Sequence, residues 1–121
     1  MEHILRKCVS SAIIIDDEVD LRMSLTEYLE LKGVDILATG ENGKEALELY
    51  QEHKPDVVLL DVLMPEYDGL YGLKRILDFD PNAKVIIITA SVGDKTFKEL
   101  IDNQISAIIY KPYNIEEVTE T

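Results

Sequence analysis

A chain of 121 residues with 24 acidic and 12 basic side chains carries a net charge of −12 at neutral pH. That sign repels phosphate backbones, which argues against direct nucleic-acid binding and suits a cation or a basic partner. The balance of 46% apolar and 30% charged residues is globular, the single cysteine (Cys8) excludes an internal disulfide or a Cys-rich metal site, and no apolar run nears the roughly 20 residues needed to cross a bilayer. One cytoplasmic domain spanning residues 1–121, with no membrane partner, is therefore the expectation, with residues 1–8 as a short N-terminal extension.

In chain order, AIII at 12–15 is predicted as the first strand, and a helix follows with Leu21, Leu25, Tyr28 and Leu29 on one face, stopping at Gly33. VDILA at 34–38 is the second strand. "GENGKEAL" at 40–47 contains a Gly-Lys pair but lacks the first glycine and the hydroxyl residue of a P-loop, so it is read as a loop leading into a helix. That helix turns Ala46, Leu47 and Tyr50 inward and stops at Lys54-Pro55. VVLL at 57–60 is the third strand, and Leu70, Leu73, Ile76 and Leu77 define the next helix, which ends before Pro81-Asn82. VIIIT at 85–89, a helix facing inward through Phe97, Leu100 and Ile101, and AIIY at 107–110 complete the pattern. A last helix from Asn114 is predicted to be short.

Strands that are apolar nearly throughout are buried on both faces, and their alternation with helices predicts an α/β doubly wound, five-stranded parallel sheet with helices on both sides. In such sheets ligands bind beyond the carboxyl ends of the strands. The polar residues closing the apolar runs are then the candidates: Asp16 and Asp17, Asp61, Thr89 and Lys111. Carboxylates sharing a cleft suit a divalent cation, and oxygen-only donors favour Mg²⁺ or Mn²⁺ over zinc. The "DDE" at 16–18 can equally be a helix N-cap, and the residues alone leave the two readings level. A threonine and a lysine beside the acids suit a phosphoryl group, for which Asp61 is the available nucleophile.

"IIIDDE" at 13–18, "VVLLDVLMPEYDG" at 57–69, "VIIITAS" at 85–91 and "YKPY" at 110–113 resemble, in order and spacing, the receiver domain of two-component response regulators of the chemotaxis-regulator kind. The resemblance covers essentially the whole chain and implies a flavodoxin-like sheet of strand order 2-1-3-4-5. It also implies a domain that accepts a phosphoryl group, in the presence of Mg²⁺, from a sensor histidine kinase or a histidine phosphotransfer protein. Carried over, Asp61 is the phosphoacceptor, Asp17 a direct Mg²⁺ ligand, Asp16 a ligand mainly through water, and the backbone carbonyl of Leu63 a further ligand. Lys111 would pair with phosphoryl oxygens and the Thr89 hydroxyl would turn toward them. Met64, Pro65 and Gly69 would shape the loop after the nucleophile, and the peptide before Pro112 is expected cis.

The chain departs from the family at Ile108, where an aromatic residue usually couples to the threonine, and at Gln104-Ile105, where a small pair is usual. Leu63 and Ser91 flank the path of the water that would attack the phosphoryl group. A leucine cannot orient that water, so slow self-dephosphorylation is expected. The output would be a changed protein surface, read by a downstream effector or by an output domain beyond this segment, and homodimerisation through the fourth helix, last strand and fifth helix is compatible with the family. The chemistry is self-catalysed acceptance and loss of phosphate rather than conventional enzyme turnover. Two alternatives stand beside it. A phosphorylation-independent docking module is favoured only by Ile108, and an aspartate-nucleophile phosphohydrolase of the haloacid-dehalogenase type lacks its second acid at Leu63.

Overall fold

The computed structural model describes residues 11–61, 69–89, 94–103 and 105–110, apart from the side chains of Asp94, Thr96 and Phe97. Strand and helix alternate through β1 (Ser11–Ile15), α1 (Val19–Leu31), β2 (Asp35–Gly40), α2 (Gly43–His53), β3 (Val57–Leu60), α3 (Gly69–Phe79), β4 (Val85–Thr89), α4 (Asp94–Asp102) and β5 (Ala107–Tyr110). The strands form one sheet of order β2-β1-β3-β4-β5 with every pair parallel, the order that the resemblance implies. The helix expected from Asn114 and the extension at 1–8 lie outside the described residues.

Alternation along the strands splits the core in two. Ile13, Ile15, Val58, Leu60, Val85 and Ile87 pack against Ala46 and Tyr50 of α2, Leu73 and Ile76 of α3, and Leu100 of α4. On the other face Ala12, Ile14, Val57, Leu59, Ile86, Ile88 and Ile109 join Leu25 and Leu29 of α1. The central strands β1, β3 and β4 are buried nearly throughout, as two-sided coverage requires.

Helix ends fall where the punctuation places them. Gly33 has a φ of +90° just beyond α1, and Lys54 ends α2 in the left-handed region at φ 45°, directly before Pro55. At the start of α2 the Asn42 side chain accepts from the Glu45 N–H at 2.9 Å, while a Glu45 carboxylate oxygen accepts from the Glu41 N–H at 3.3 Å, so "GENGKEAL" is a capped helix start.

Two expectations are corrected. The second strand is Asp35–Gly40 rather than 34–38, because its ladder with β1 continues to the Ile15–Gly40 pair after the apolar run has ended. Ile101, expected on the inner face of α4, is 52% exposed; among the described side chains of that helix only Leu100 is buried.

At the sheet end away from the strand carboxyl termini, the buried Tyr50 hydroxyl donates to an Asp80 carboxylate oxygen at 2.7 Å, and the other oxygen accepts from the Asn82 N–H at 3.0 Å. The phenol bond, then the backbone bond, hold Asp80 below the usual carboxylate range; burial first, then Asp80, push the Tyr50 phenol up. A carboxyl with a lowered folded pKa adds stability above its unfolded pKa and loses it as pH falls through the folded value. Tyr50→Phe is therefore expected to lower the thermal midpoint by a few degrees at pH 7, with the deficit shrinking below pH 4 in a melting series. A deficit that held constant down to pH 2 would contradict the Tyr50–Asp80 assignment.

Candidate functional site

The chain leaves β1 toward the α1 face and β3 toward the opposite face, where α3 packs. Adjacent parallel strands whose connections part in this way open a crevice at their carboxyl ends. Asp16 follows β1 directly and Asp61 follows β3. Each extends its ladder by one bond, the Asp16 N–H to the Gly40 carbonyl and the Asp61 N–H to the Ile15 carbonyl, both at 3.0 Å. The strands thus deliver two carboxylates to the crevice floor, where Asp16 is 5% and Asp61 4% exposed.

Asp17 and Glu18 stand exposed at the rim. One carboxylate oxygen from each of Asp16, Asp17, Glu18 and Asp61 can be chosen so that all lie within 4.8 Å of one another. Glu18, for which the sequence left helix capping and metal binding level, joins the cluster. The start of α1 bears on the N-cap alternative for "DDE". Glu18 occupies the N-cap position of α1 without a side-chain capping bond, and its N–H donates instead to the Asp16 carboxylate at 2.9 Å.

Four carboxylates so placed gather charge of one sign in a partly desolvated crevice, which a divalent cation would offset. The donors are oxygen throughout and the described cluster contains no imidazole or thiolate, so the set fits a hard cation of the Mg²⁺ class. Part of the set is buried and part is open to water, the arrangement that an ion retaining some of its water requires.

Thr89 ends β4 on the same sheet edge. It is fully buried, and its hydroxyl has no hydrogen-bond partner among the described residues. An orphan buried hydroxyl costs about 1–3 kcal/mol. Tyr110 is the parallel partner of Thr89, while Ile108 is level with Ile87 and packs into the core on the α3 side. A 45% exposed aromatic ring therefore stands level with the threonine, one pleat beyond the position where the family usually has it.

Leu63, Met64, Pro65, Ser91, Gln104, Lys111 and Pro112 lie outside the described residues, so their expected parts are not located. Gly69 opens α3 and is buried. A further residue, Arg22, comes to the site although the sequence did not single it out. Its guanidinium is largely buried against the Asp16 backbone, and the available signal was its place one turn inside the helix that the acids precede.

Residues 12–121 match the family model of the response regulator receiver domain. The chain is similar to the chemotaxis protein CheY of Thermotoga maritima, 36% identical over 89% of this chain and 90% of that one. CheY of Bacillus subtilis is 35% identical over the same shares. Among solved structures, the CheX-CheY-BeF3-Mg complex of Borrelia burgdorferi matches with a TM-score of 0.83 and 34% identity, covering 89% of this chain and 82% of that one. A LuxR-family DNA-binding response regulator of Staphylococcus aureus matches at 0.85 and 36%, covering 93% and 94%. No helix among the described residues is long and apolar enough to cross a membrane.

Proposed function

The chain belongs to the response regulator receiver domain family, the phosphorylation-dependent switches of two-component signalling, and from that premise we propose that Asp61 is its phosphoacceptor. Receiver domains signal and are not conventional enzymes. In the transfer, a carboxylate oxygen of Asp61 forms a bond to phosphorus as the phosphorus–nitrogen bond of a donor phosphohistidine breaks, leaving an acyl phosphate and a neutral imidazole once the nitrogen regains a proton. Mg²⁺, when bound, offsets charge on the phosphoryl oxygens. Asp17, Asp16 and Asp61 would hold it, with the backbone carbonyl of Leu63 as a further ligand. Lys111 and the Thr89 hydroxyl take phosphoryl oxygens. The observation that carries this reading is the meeting of Asp16, Asp17 and Asp61 oxygens at the carboxyl ends of two neighbouring parallel strands.

The donor is a sensor histidine kinase or a histidine phosphotransfer protein, and the readout is a changed protein surface at the α4–β5 side. Intact-mass measurement after incubation with acetyl phosphate tests the reading: one added phosphoryl group with Mg²⁺ and none with chelator are expected. Equal incorporation without a divalent cation would sink it.

Mg²⁺ should also stabilise the fold, since it binds carboxylates that only the folded chain brings together. At about ten times its dissociation constant it contributes about 1.4 kcal/mol. That is about 5 °C in thermal midpoint for a chain of this size. Differential scanning fluorimetry should show the shift in wild type and lose it in Asp17→Asn; a shift of equal size in the variant would remove Asp17 from the ligand set.

A further inference from the structure

We propose that Arg22 is a positioning residue for the metal site, acting through the backbone of Asp16 rather than through its own charge; this rests on the metal reading above. The Arg22 side chain is 13% exposed although it sits at the mouth of a strongly acidic crevice. Its shortest bond goes to no carboxylate: Nη1 donates to the backbone carbonyl of Asp16 at 2.6 Å. The second nitrogen, Nη2, lies 3.5 Å from the Glu41 carboxylate in the loop between β2 and α2. One planar fork thus ties the loop after β1 to the loop after β2, in a geometry that a lysine cannot reproduce.

The carbonyl it grips belongs to the peptide that joins Asp16 to Asp17. With the Asp16 N–H tied to the Gly40 carbonyl and the Arg22 N–H to the Glu18 carbonyl, that peptide is fixed from both sides. Rotation about it would carry the Asp17 carboxylate away from those of Asp16 and Asp61. A group that holds ligand-bearing backbone in place acts on affinity as hydrogen-bonded partners behind metal ligands do, where replacement typically weakens binding about 10-fold to 100-fold.

Charge and position make opposite predictions. A cation beside a cation site opposes metal binding, so if Arg22 mattered only by its charge, Arg22→Ala would tighten Mg²⁺ and Arg22→Lys would leave it unchanged. As a positioning residue it should do the reverse. Arg22→Lys is expected to weaken Mg²⁺ about tenfold, and Arg22→Ala should weaken it too despite the favourable loss of charge. The experiment is calorimetric titration of Mg²⁺ alone into wild type, Arg22→Lys, Arg22→Ala and Asp17→Asn, with thermal midpoints measured in chelator to show that each metal-free fold is intact. If Arg22→Ala does not fold, Arg22→Lys decides.

A second readout is the Mg²⁺ concentration giving half-maximal phosphorylation, which should rise in Arg22→Lys while the maximum at saturating Mg²⁺ stays at the wild-type level. Unchanged or tighter Mg²⁺ binding in the Arg22 variants, with wild type binding normally, overturns the positioning role and leaves the metal site standing. A wild type that binds no Mg²⁺ overturns the metal reading, and this proposal with it.

Discussion

Asp61→Asn is expected to show no added phosphoryl mass under conditions where wild type is fully modified. The amide matches the carboxylate in shape but its oxygen is neutral and a poor nucleophile, so the bond to phosphorus does not form. Structure should survive the change. The backbone bond from the residue 61 N–H to Ile15 is independent of the side chain, and an amide is a smaller burden than a carboxylate at a position only 4% exposed. Melting curves of the two proteins in chelator should therefore lie close together, which separates lost chemistry from lost fold. Persistent incorporation in the variant would move the acceptor to a neighbouring acid, with Asp17 and Glu18 at the rim the ones to map by peptide mass.

Gly72→Val is expected to damage the scaffold severely, at about 3 kcal/mol by analogy with overpacked cores. For a chain of this length that is about 10 °C in thermal midpoint. A Cβ at Gly72 would lie 2.9 Å from the Gly43 Cα and 3.1 Å from the Gly43 carbonyl oxygen, with the Ala46 Cβ at 3.4 Å. Backbone stands in the way, so relief requires moving α2 and α3 apart, and both carry core side chains into the same cluster. Alanine meets the same contact but recovers about 1 kcal/mol of helix propensity, so urea unfolding of the glycine, alanine and valine proteins should give a graded series. A valine protein as stable as wild type would mean that the two helices are not locked by this contact.

The scaffold was legible because burial on two faces writes itself as unbroken apolar runs. VVLL and VIIIT, buried at every position, coincide with β3 and β4, and AIIY coincides with β5 although that edge strand is only partly buried. Where burial weakens, the signal does too. The edge strand β2 continues through Thr39 and Gly40 by hydrogen bonding to β1, and a run of apolar residues does not record such bonds. Ile101 fits the helical spacing of its neighbours, yet a spacing names a face without saying how wide the buried stripe is. At the site, the order of acids after strands pointed to Asp16, Asp17 and Asp61. "DDE" could not be divided between cap and ligand, because both uses want the same oxygens; the structure places Glu18 at the N-cap without a side-chain capping bond. Arg22 was illegible for a different reason. Its partners are a backbone carbonyl and a side chain from a neighbouring loop, so its place one turn inside the helix was the one mark it left in the sequence.

The parallel sheet also constrains how the protein reaches its fold. Among the described residues no two strands are joined by a hairpin: Ser11 pairs with Asp35, Ala12 with Val57, and Ile86 with Ala107, each across an intervening helix or more. Every ladder must close a long loop before its hydrogen bonds begin to offset the lost chain entropy, and the β1–β3 ladder, which pairs Ala12 with Val57 across α1, β2 and α2, closes the longest. Refolding should therefore be slower than in helical bundles of equal stability, with β1 pairing as the step at which apolar strand edges stay exposed longest.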